Sequence, residues 1–95
     1  MPYIAQHERG NYWLPVQRVV EELVRWRGEE PVVNPGHLNY VLSSIVVSLF
    51  RRNERYATLN LLLGALEAVK LELYRVYGAP YEDRKRAENG EVDVH

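Results

Sequence analysis

The chain has 95 residues and a mass of 11.1 kDa, which fits one domain, because chains usually divide into domains only beyond roughly 250 residues. Apolar residues make up 46% and charged residues 26% of the chain, which supports a packed core and excludes a disordered or collagen-like chain. The formal net charge of -1 gives no overall positive electrostatic potential that would attract nucleic acid. The absence of cysteine excludes disulfides, thiolate metal sites and a cysteine nucleophile.

Helical periodicity dominates the sequence and predicts an all-α fold, a small three- to four-helix bundle in a single helical domain at 1–95. The first predicted helix covers residues 14–27 and follows an N-terminal arm at 1–13. Pro15 suits the first turn of this helix. The apolar residues recur every three to four positions, as on one helix face: Val16, Val19, Val20, Leu23 and Val24.

A second helix is predicted at 35–52. Asn34 can cap its first amide groups, and Pro35 suits its first position because proline has no amide to leave unpaired. The apolar face of this helix is wider than one neighbouring helix requires, so we expect the helix to be central.

The third predicted helix, at 56–77, is the longest and ends at Gly78. Its length of about 33 Å exceeds that of the other helices, so something else must cover its last turns. Leu61, Ala65 and Ala68, with Gly64 beside them, form a second apolar strip on a different flank from the core stripe. Two apolar flanks favour a homo-oligomer, with a two-fold dimer as the preferred form.

A short C-terminal helix is predicted at 80–89, with Glu82 and Asp83 at its positive end and Gly90 as its stop. The last residues, 90–95, are predicted to form a mobile tail.

Catalytic and metal-binding patterns are sparse. The three histidines fall in separate segments, so we expect no metal site. Residues 21–25 approach the magnesium-binding EExxE pattern of all-α nucleotide pyrophosphohydrolases, but Arg25 replaces the third carboxylate, and Arg75 replaces the aspartate of the later ExxD motif. A divalent-metal nucleotide hydrolase is therefore only a second alternative, and we expect neither a cofactor nor catalytic residues.

A polar stripe lies along the third predicted helix and the segment after it. Glu67, Lys70 and Tyr74 are spaced to share one helix face, and Glu67 and Lys70 can form an ion pair. Ordinary surface electrostatics and a tyrosine at the edge of the core explain the same pattern without any function, so both interpretations stay open. The short helix could bring further polar residues back toward this stripe across a turn at 78–80: Tyr81, Glu82 and Lys85.

Membrane and nucleic-acid partners are not expected. The most apolar run, residues 41–50, is shorter than the roughly 20 residues of a membrane span, and the first residues lack the pattern of a secretory signal. Basic residues near positions 51–55 and 84–86 alternate with or precede acids, which is typical of a solvated face rather than a nucleic-acid site. The sequence predicts a soluble cytoplasmic protein.

Five segments resemble a family of small uncharacterised proteins encoded by many bacteriophages, prophages and bacteria: MPYI at 1–4, LNY at 38–40, GALEAVKLELYR at 64–75, PYEDRK at 80–85 and NGEV at 89–92. The family pattern has a second arginine after the one matched by Arg75, and this chain has Val76 there. The resemblance implies a viral or mobile-element origin and no mechanism. It marks ten motif positions as candidate interface or ligand-binding residues: Asn39, Tyr40, Glu67, Lys70, Tyr74, Arg75, Tyr81, Glu82, Lys85 and Asn89.

Two functional hypotheses follow. The first is a non-enzymatic, phage-type interaction module that forms a homo-oligomer and acts on a host or phage protein. The alternative is a small-ligand or nucleotide-sequestering protein with its site at the subunit boundary, where tyrosines could stack on a base while a lysine or arginine binds phosphate.

Overall fold

A computed structural model of the chain describes residues 3–25 and 33–91. Over those residues the fold is all-α, as predicted, and no strand is present. The helices are α1 (Gln6–Arg25), α2 (Pro35–Phe50), α3 (Tyr56–Leu73) and α4 (Ala79–Asn89), and a π-helical segment (Tyr74–Gly78) joins α3 to α4.

Helix α1 begins at Gln6, so the predicted start at residue 14 is wrong and most of the predicted N-terminal arm is helical. Pro15 was predicted to lie in the first turn of the helix, but it lies inside the helix. An interior proline removes one backbone hydrogen bond, and its ring clashes with the carbonyl four residues back, so it kinks or breaks a helix. Helix α1 nevertheless continues on both sides of Pro15. Glu8 in the first turn complements the positive end of the helix.

Helix α2 begins as its local sequence predicts. The Asn34 side-chain Oδ1 accepts a hydrogen bond from the Gly36 backbone N–H at 2.8 Å, and Pro35 occupies the first turn. The helix ends at Phe50, two residues before the predicted end, where the Arg51 N–H still donates to the Val47 carbonyl at 2.9 Å.

The largest correction concerns the junction at residues 78–80, which was predicted to be a turn between two helices. Gly78 and Ala79 both have right-handed helical φ and ψ, and the Ala79 N–H donates to the Tyr74 carbonyl, five residues back. Helix therefore continues from α3 to α4. Pro80 has no N–H, and its ring would collide with the carbonyl four residues back in a regular helix. The wider π turn immediately before it absorbs this conflict.

The chain divides into two compact units, one reaching Leu59 and the other beginning at Asn60. Among the described residues Leu62 is the only buried hydrophobic residue, with 8% of its surface exposed. Single-domain organisation and bundle packing stay predictions. No helix among the described residues has both the length and the apolar character needed to cross a membrane.

Candidate functional site

The π-helical segment holds a tyrosine against a glycine. An added Cβ at Gly78 would lie 2.7 Å from Cδ2 of the Tyr74 ring, so the ring lies directly over the space that the glycine leaves open. From there the Tyr74 hydroxyl donates a hydrogen bond of 2.5 Å to Oε1 of Glu82. Positions 74, 78 and 82 are successively four residues apart and share one helix face. Because Gly78 has no side chain, the Tyr74 ring can lie along this face and reach Glu82.

The contact with Glu82 changes the acidity of the tyrosine. The pKa of Tyr74 is raised above its ordinary value of 10.0, first because its hydroxyl donates to Glu82 and then because the negative charge of that carboxylate disfavours a tyrosinate. Slight desolvation and the more distant charge of Asp83 act in the same direction. The side chain therefore stays protonated at neutral pH and serves as a hydrogen-bond donor, not as a general base.

A second tyrosine, Tyr81, directly follows the junction at residues 78–80. The Arg84 guanidinium carbon and the Lys85 ammonium nitrogen each lie 5.7 Å from the centre of its ring. Both distances are within the range of a cation–π interaction. The ring is 53% exposed, so part of its surface is free to contact another molecule.

An open hollow of about 510 Å³, which we call the α4 hollow, lies on the C-terminal helix and is lined by Tyr81 and Lys85 but not by Arg84. Its far end is formed where the chain leaves the helix at Gly90, which has a positive φ of 90°. Arg86 pairs there with Glu91 at 3.4 Å and with Asp83 at the same distance. The hollow brings together four of the predicted site residues: Tyr74, Tyr81, Glu82 and Lys85.

The other predicted residues of this unit do not line the hollow. Glu67 and Lys70 form the predicted ion pair, at 3.7 Å and with exposed side chains. Arg75 pairs with Glu72 at 2.7 Å, and Asn89 is the last residue of α4. The Glu67–Lys70 pair is solvent-exposed on both sides, and pairs of this kind contribute little to stability. In the Arg75–Glu72 pair, the Glu72 side chain is only 25% exposed.

Asn39 and Tyr40 lie on α2, in the other unit. The Asn39 side-chain Oδ1 accepts a hydrogen bond from the Ser43 hydroxyl at 2.9 Å. Tyr40 is 74% exposed and borders an open, mostly apolar groove of about 580 Å³. This groove was not predicted, because the apolar residues that line it fit a packed core equally well. Residues of α1 and of α2 line it: Arg18, Val19, Glu22, Leu23, Gly36, His37, Tyr40 and Val41.

Residues 3–25 and 33–91 contain no group of three or more histidine, aspartate or glutamate side chains placed to hold a metal ion. His95 lies outside the described residues. The polar groups of the α4 hollow can donate and accept hydrogen bonds, and Tyr81 offers an aromatic surface beside two cations.

Fold and site together define a small all-α protein with an open polar hollow on its C-terminal helix and exposed apolar residues on its other helices. The chain belongs to the family described as Domain of unknown function (DUF6899), whose model matches residues 1–92. No curated protein and no solved structure matches the chain. The expected membership of an uncharacterised family is thus confirmed at the level of the family.

Proposed function

We propose that this protein is a non-enzymatic, all-α interaction module that works as an assembly of copies of itself. The observation that carries the proposal is the absence of Asp, Glu, Lys and Arg from all 16 residues of α2, in a chain in which 26% of residues are charged. A helix on the surface of a soluble protein normally carries charged residues on its outer face, and a helix without them is normally buried on all sides.

The described residues of one copy have too few helices to bury α2 in this way. Besides α2 they supply only α1 and the α3–α4 helix, and two helices at an interaxial distance of about 8–10 Å cover only part of the circumference of a third. The exposure of α2 agrees with this shortage, because Leu42, Ile45 and Leu49 are each between 44% and 51% exposed. Several large apolar side chains exposed along one helix typically mark a site of protein association.

The resemblance to phage-encoded proteins extends this proposal. In this extended proposal, the apolar helix faces are buried between copies of the chain, and the resulting assembly acts on a host or phage protein in a bacterial cytoplasm. The exposed polar residues of α4 are then the part of the chain that contacts the outside partner, because interface rims and transient contacts tolerate charge.

Sedimentation equilibrium of the purified chain at micromolar concentrations tests self-association. We expect the mass of two or more copies of the 11.1 kDa chain and a thermal unfolding midpoint that rises with protein concentration. A monomer that unfolds cooperatively, at a midpoint independent of concentration, would refute the proposal.

A second candidate function is the binding of a small ligand such as a nucleotide in the α4 hollow. The half-exposed Tyr81 ring beside Arg84 and Lys85 supports it, because a base can stack on the ring while a cation binds phosphate. A thermal-shift screen of nucleotides tests it. A ligand at about 100 times its dissociation constant adds roughly 2.7 kcal/mol of stability, and the variant Tyr81→Ala should abolish that gain.

A further inference from the structure

The π-helical segment determines which side chains of α3 and α4 share a face. Its hydrogen bond, from the Ala79 N–H to the Tyr74 carbonyl, spans five residues, whereas an α-helical bond spans four. The continuous helix therefore holds one residue more at the junction than a regular α-helix does. Because each residue of an α-helix turns the chain by about 100°, the π turn rotates the side chains of α4 by roughly that angle relative to those of α3.

This rotation aligns Tyr74 with Glu82. In a regular α-helix two residues eight positions apart lie about 80° apart around the axis, because eight residues make about 2.2 turns. With one residue taken up by the π turn, the pair behaves like residues seven positions apart, which come within about 20° of each other after two turns. The hydrogen bond of 2.5 Å from the Tyr74 hydroxyl to Glu82 Oε1 is made in this aligned register.

Pro80 disfavours the regular register. It has no N–H to donate to the carbonyl four residues back, and its ring would collide with that carbonyl. Proline alone does not produce a π turn, because α1 continues as α-helix through Pro15. The junction also has Gly78, where the Tyr74 ring occupies the space of the missing side chain, and Glu82, toward which the rotated register turns that ring.

We propose that Pro80 is the positioning residue of the α4 hollow, because the π turn that it favours brings Tyr74 from one side of the junction to Glu82 on the other. Tyr74 and Glu82 then line the hollow together with Tyr81. The role of Pro80 rests on the second candidate function for the use of the hollow, and it specifies how such a site is built.

The position of Tyr74 matters because its hydroxyl holds the Glu82 carboxylate without neutralising the charge. The other two acids of the hollow, Asp83 and Glu91, each pair with Arg86 at 3.4 Å. Glu82 instead receives its hydrogen bond from a neutral donor. Through Tyr74, Pro80 therefore fixes the position of a charged acceptor in the hollow.

The substitution Pro80→Ala tests this role, and alanine is the better helix former, so we expect the helix to persist. NMR scalar coupling through the hydrogen bond identifies the carbonyl to which the Ala79 N–H donates. We expect that carbonyl to be Tyr74 in the parent chain and Arg75, four residues back, in Pro80→Ala, because alanine restores the N–H and removes the clash. A variant in which Ala79 still donates to Tyr74, or a parent in which it already donates to Arg75, would overturn the role of Pro80.

The matched control is Pro15→Ala, which also replaces a proline inside a helix, but in α1 and without a π turn. In Pro80→Ala the Tyr74 hydroxyl should leave Glu82, so the pKa of Tyr74 should fall toward 10.0, whereas Pro15→Ala should leave that pKa raised. Titration of tyrosinate absorbance against the Tyr74→Phe counterpart of each protein measures the change. The same raised pKa in both variants would contradict the proposal.

A thermal-shift titration with ATP separates the role of Pro80 from the second candidate function. If nucleotides including ATP do not stabilise the parent chain, the second candidate function is refuted, while the NMR coupling and the pKa of Tyr74 still decide the role of Pro80. If ATP does stabilise the parent, Pro80→Ala should weaken ATP binding by roughly threefold to tenfold, the usual effect of one hydrogen bond, and Pro15→Ala should not. Equal ATP binding by the two variants would show that Pro80 does not position the hollow.

Discussion

Replacing Gly78 with alanine tests whether the π-helical segment is built around the Tyr74 ring. The new Cβ would lie 2.7 Å from the ring, about 0.7 Å closer than an ordinary van der Waals contact. The ring must move by at least that distance, because the Cβ is fixed to the helix backbone. The hydroxyl then withdraws from Glu82, to which it donates a hydrogen bond of 2.5 Å in the parent chain.

The loss of this hydrogen bond has a measurable consequence for acidity. Since the bond to Glu82 is the main cause of the raised pKa of Tyr74, we expect that pKa to fall toward 10.0 in Gly78→Ala. The variant Glu82→Gln should lower it as well, because the amide carries no negative charge. Titration followed by tyrosinate absorbance, with each protein compared with its Tyr74→Phe counterpart, isolates this residue among the seven tyrosines of the chain.

The same contact makes stability depend on pH. The protonated hydroxyl makes the bond and its folded-state pKa is raised, so the stabilisation is complete below pH 10.0 and is lost as the pH rises through the folded-state pKa. Denaturant unfolding of the parent and of Tyr74→Phe should therefore converge at the highest pH values.

The control for helix propensity is Gly10→Ala, in which the added Cβ meets nothing within 4 Å. That change should stabilise the chain by about 0.5–1 kcal/mol, whereas Gly78→Ala should gain less because the displaced ring offsets the gain in propensity. Equal gains from both substitutions, with an unchanged pKa at Tyr74, would show that the ring is not held against Gly78.

Three smaller predictions follow from local geometry. Asn34→Ala removes the cap of α2 from the Gly36 N–H and should cost about 1 kcal/mol in denaturant unfolding, while Asn34→Asp should be close to neutral. Gly90→Ala places a side chain at φ 90° and ψ 165°, at a cost of about 1–3 kcal/mol, and should weaken amide protection from hydrogen exchange in the last turn of α4. Lys70→Gln should change stability by less than about 1 kcal/mol, because its ion pair with Glu67 is solvent-exposed.

Three helix ends were predicted correctly because a capping or helix-breaking residue lies close to each of them in the sequence. The Asn34-Pro35 pair fixed the start of α2, and the start of α3 at Tyr56 and the end of α4 at Asn89 also agree with the sequence analysis. In these places a cap or a breaker acts within three or four residues, so it can be read without knowledge of the tertiary structure.

The two larger corrections, at the start of α1 and at the junction of α3 and α4, both involve proline. Pro15 was predicted to lie in the first turn of a helix and Pro80 to lie between two helices, yet helix passes through both positions. Proline prefers helix ends because it lacks the N–H of one backbone hydrogen bond and because its ring clashes with the preceding turn. At Pro80 a π turn removes the clash, and no residue pattern in the sequence predicts such a turn. The proximity of Tyr74 and Glu82 was anticipated, but the contact runs along a continuous helix instead of across a turn.

Charge is distributed unevenly along the chain, and this assigns the two proposed activities to different segments of it. Residues 35–50 and 56–66 have no Asp, Glu, Lys or Arg, whereas residues 67–91 carry exposed ion pairs such as Glu67–Lys70 and Lys85–Glu88. Interface cores exclude charge and exposed ion pairs favour contact with water, so we expect self-association to use the uncharged segments and a ligand to bind among the charged ones. Leu49→Glu, at an exposed apolar position of α2, should consequently weaken assembly without changing nucleotide binding, and Tyr81→Ala should do the reverse. If one substitution abolished both, the hollow would have to lie at the contact between copies, as the subunit-boundary hypothesis requires.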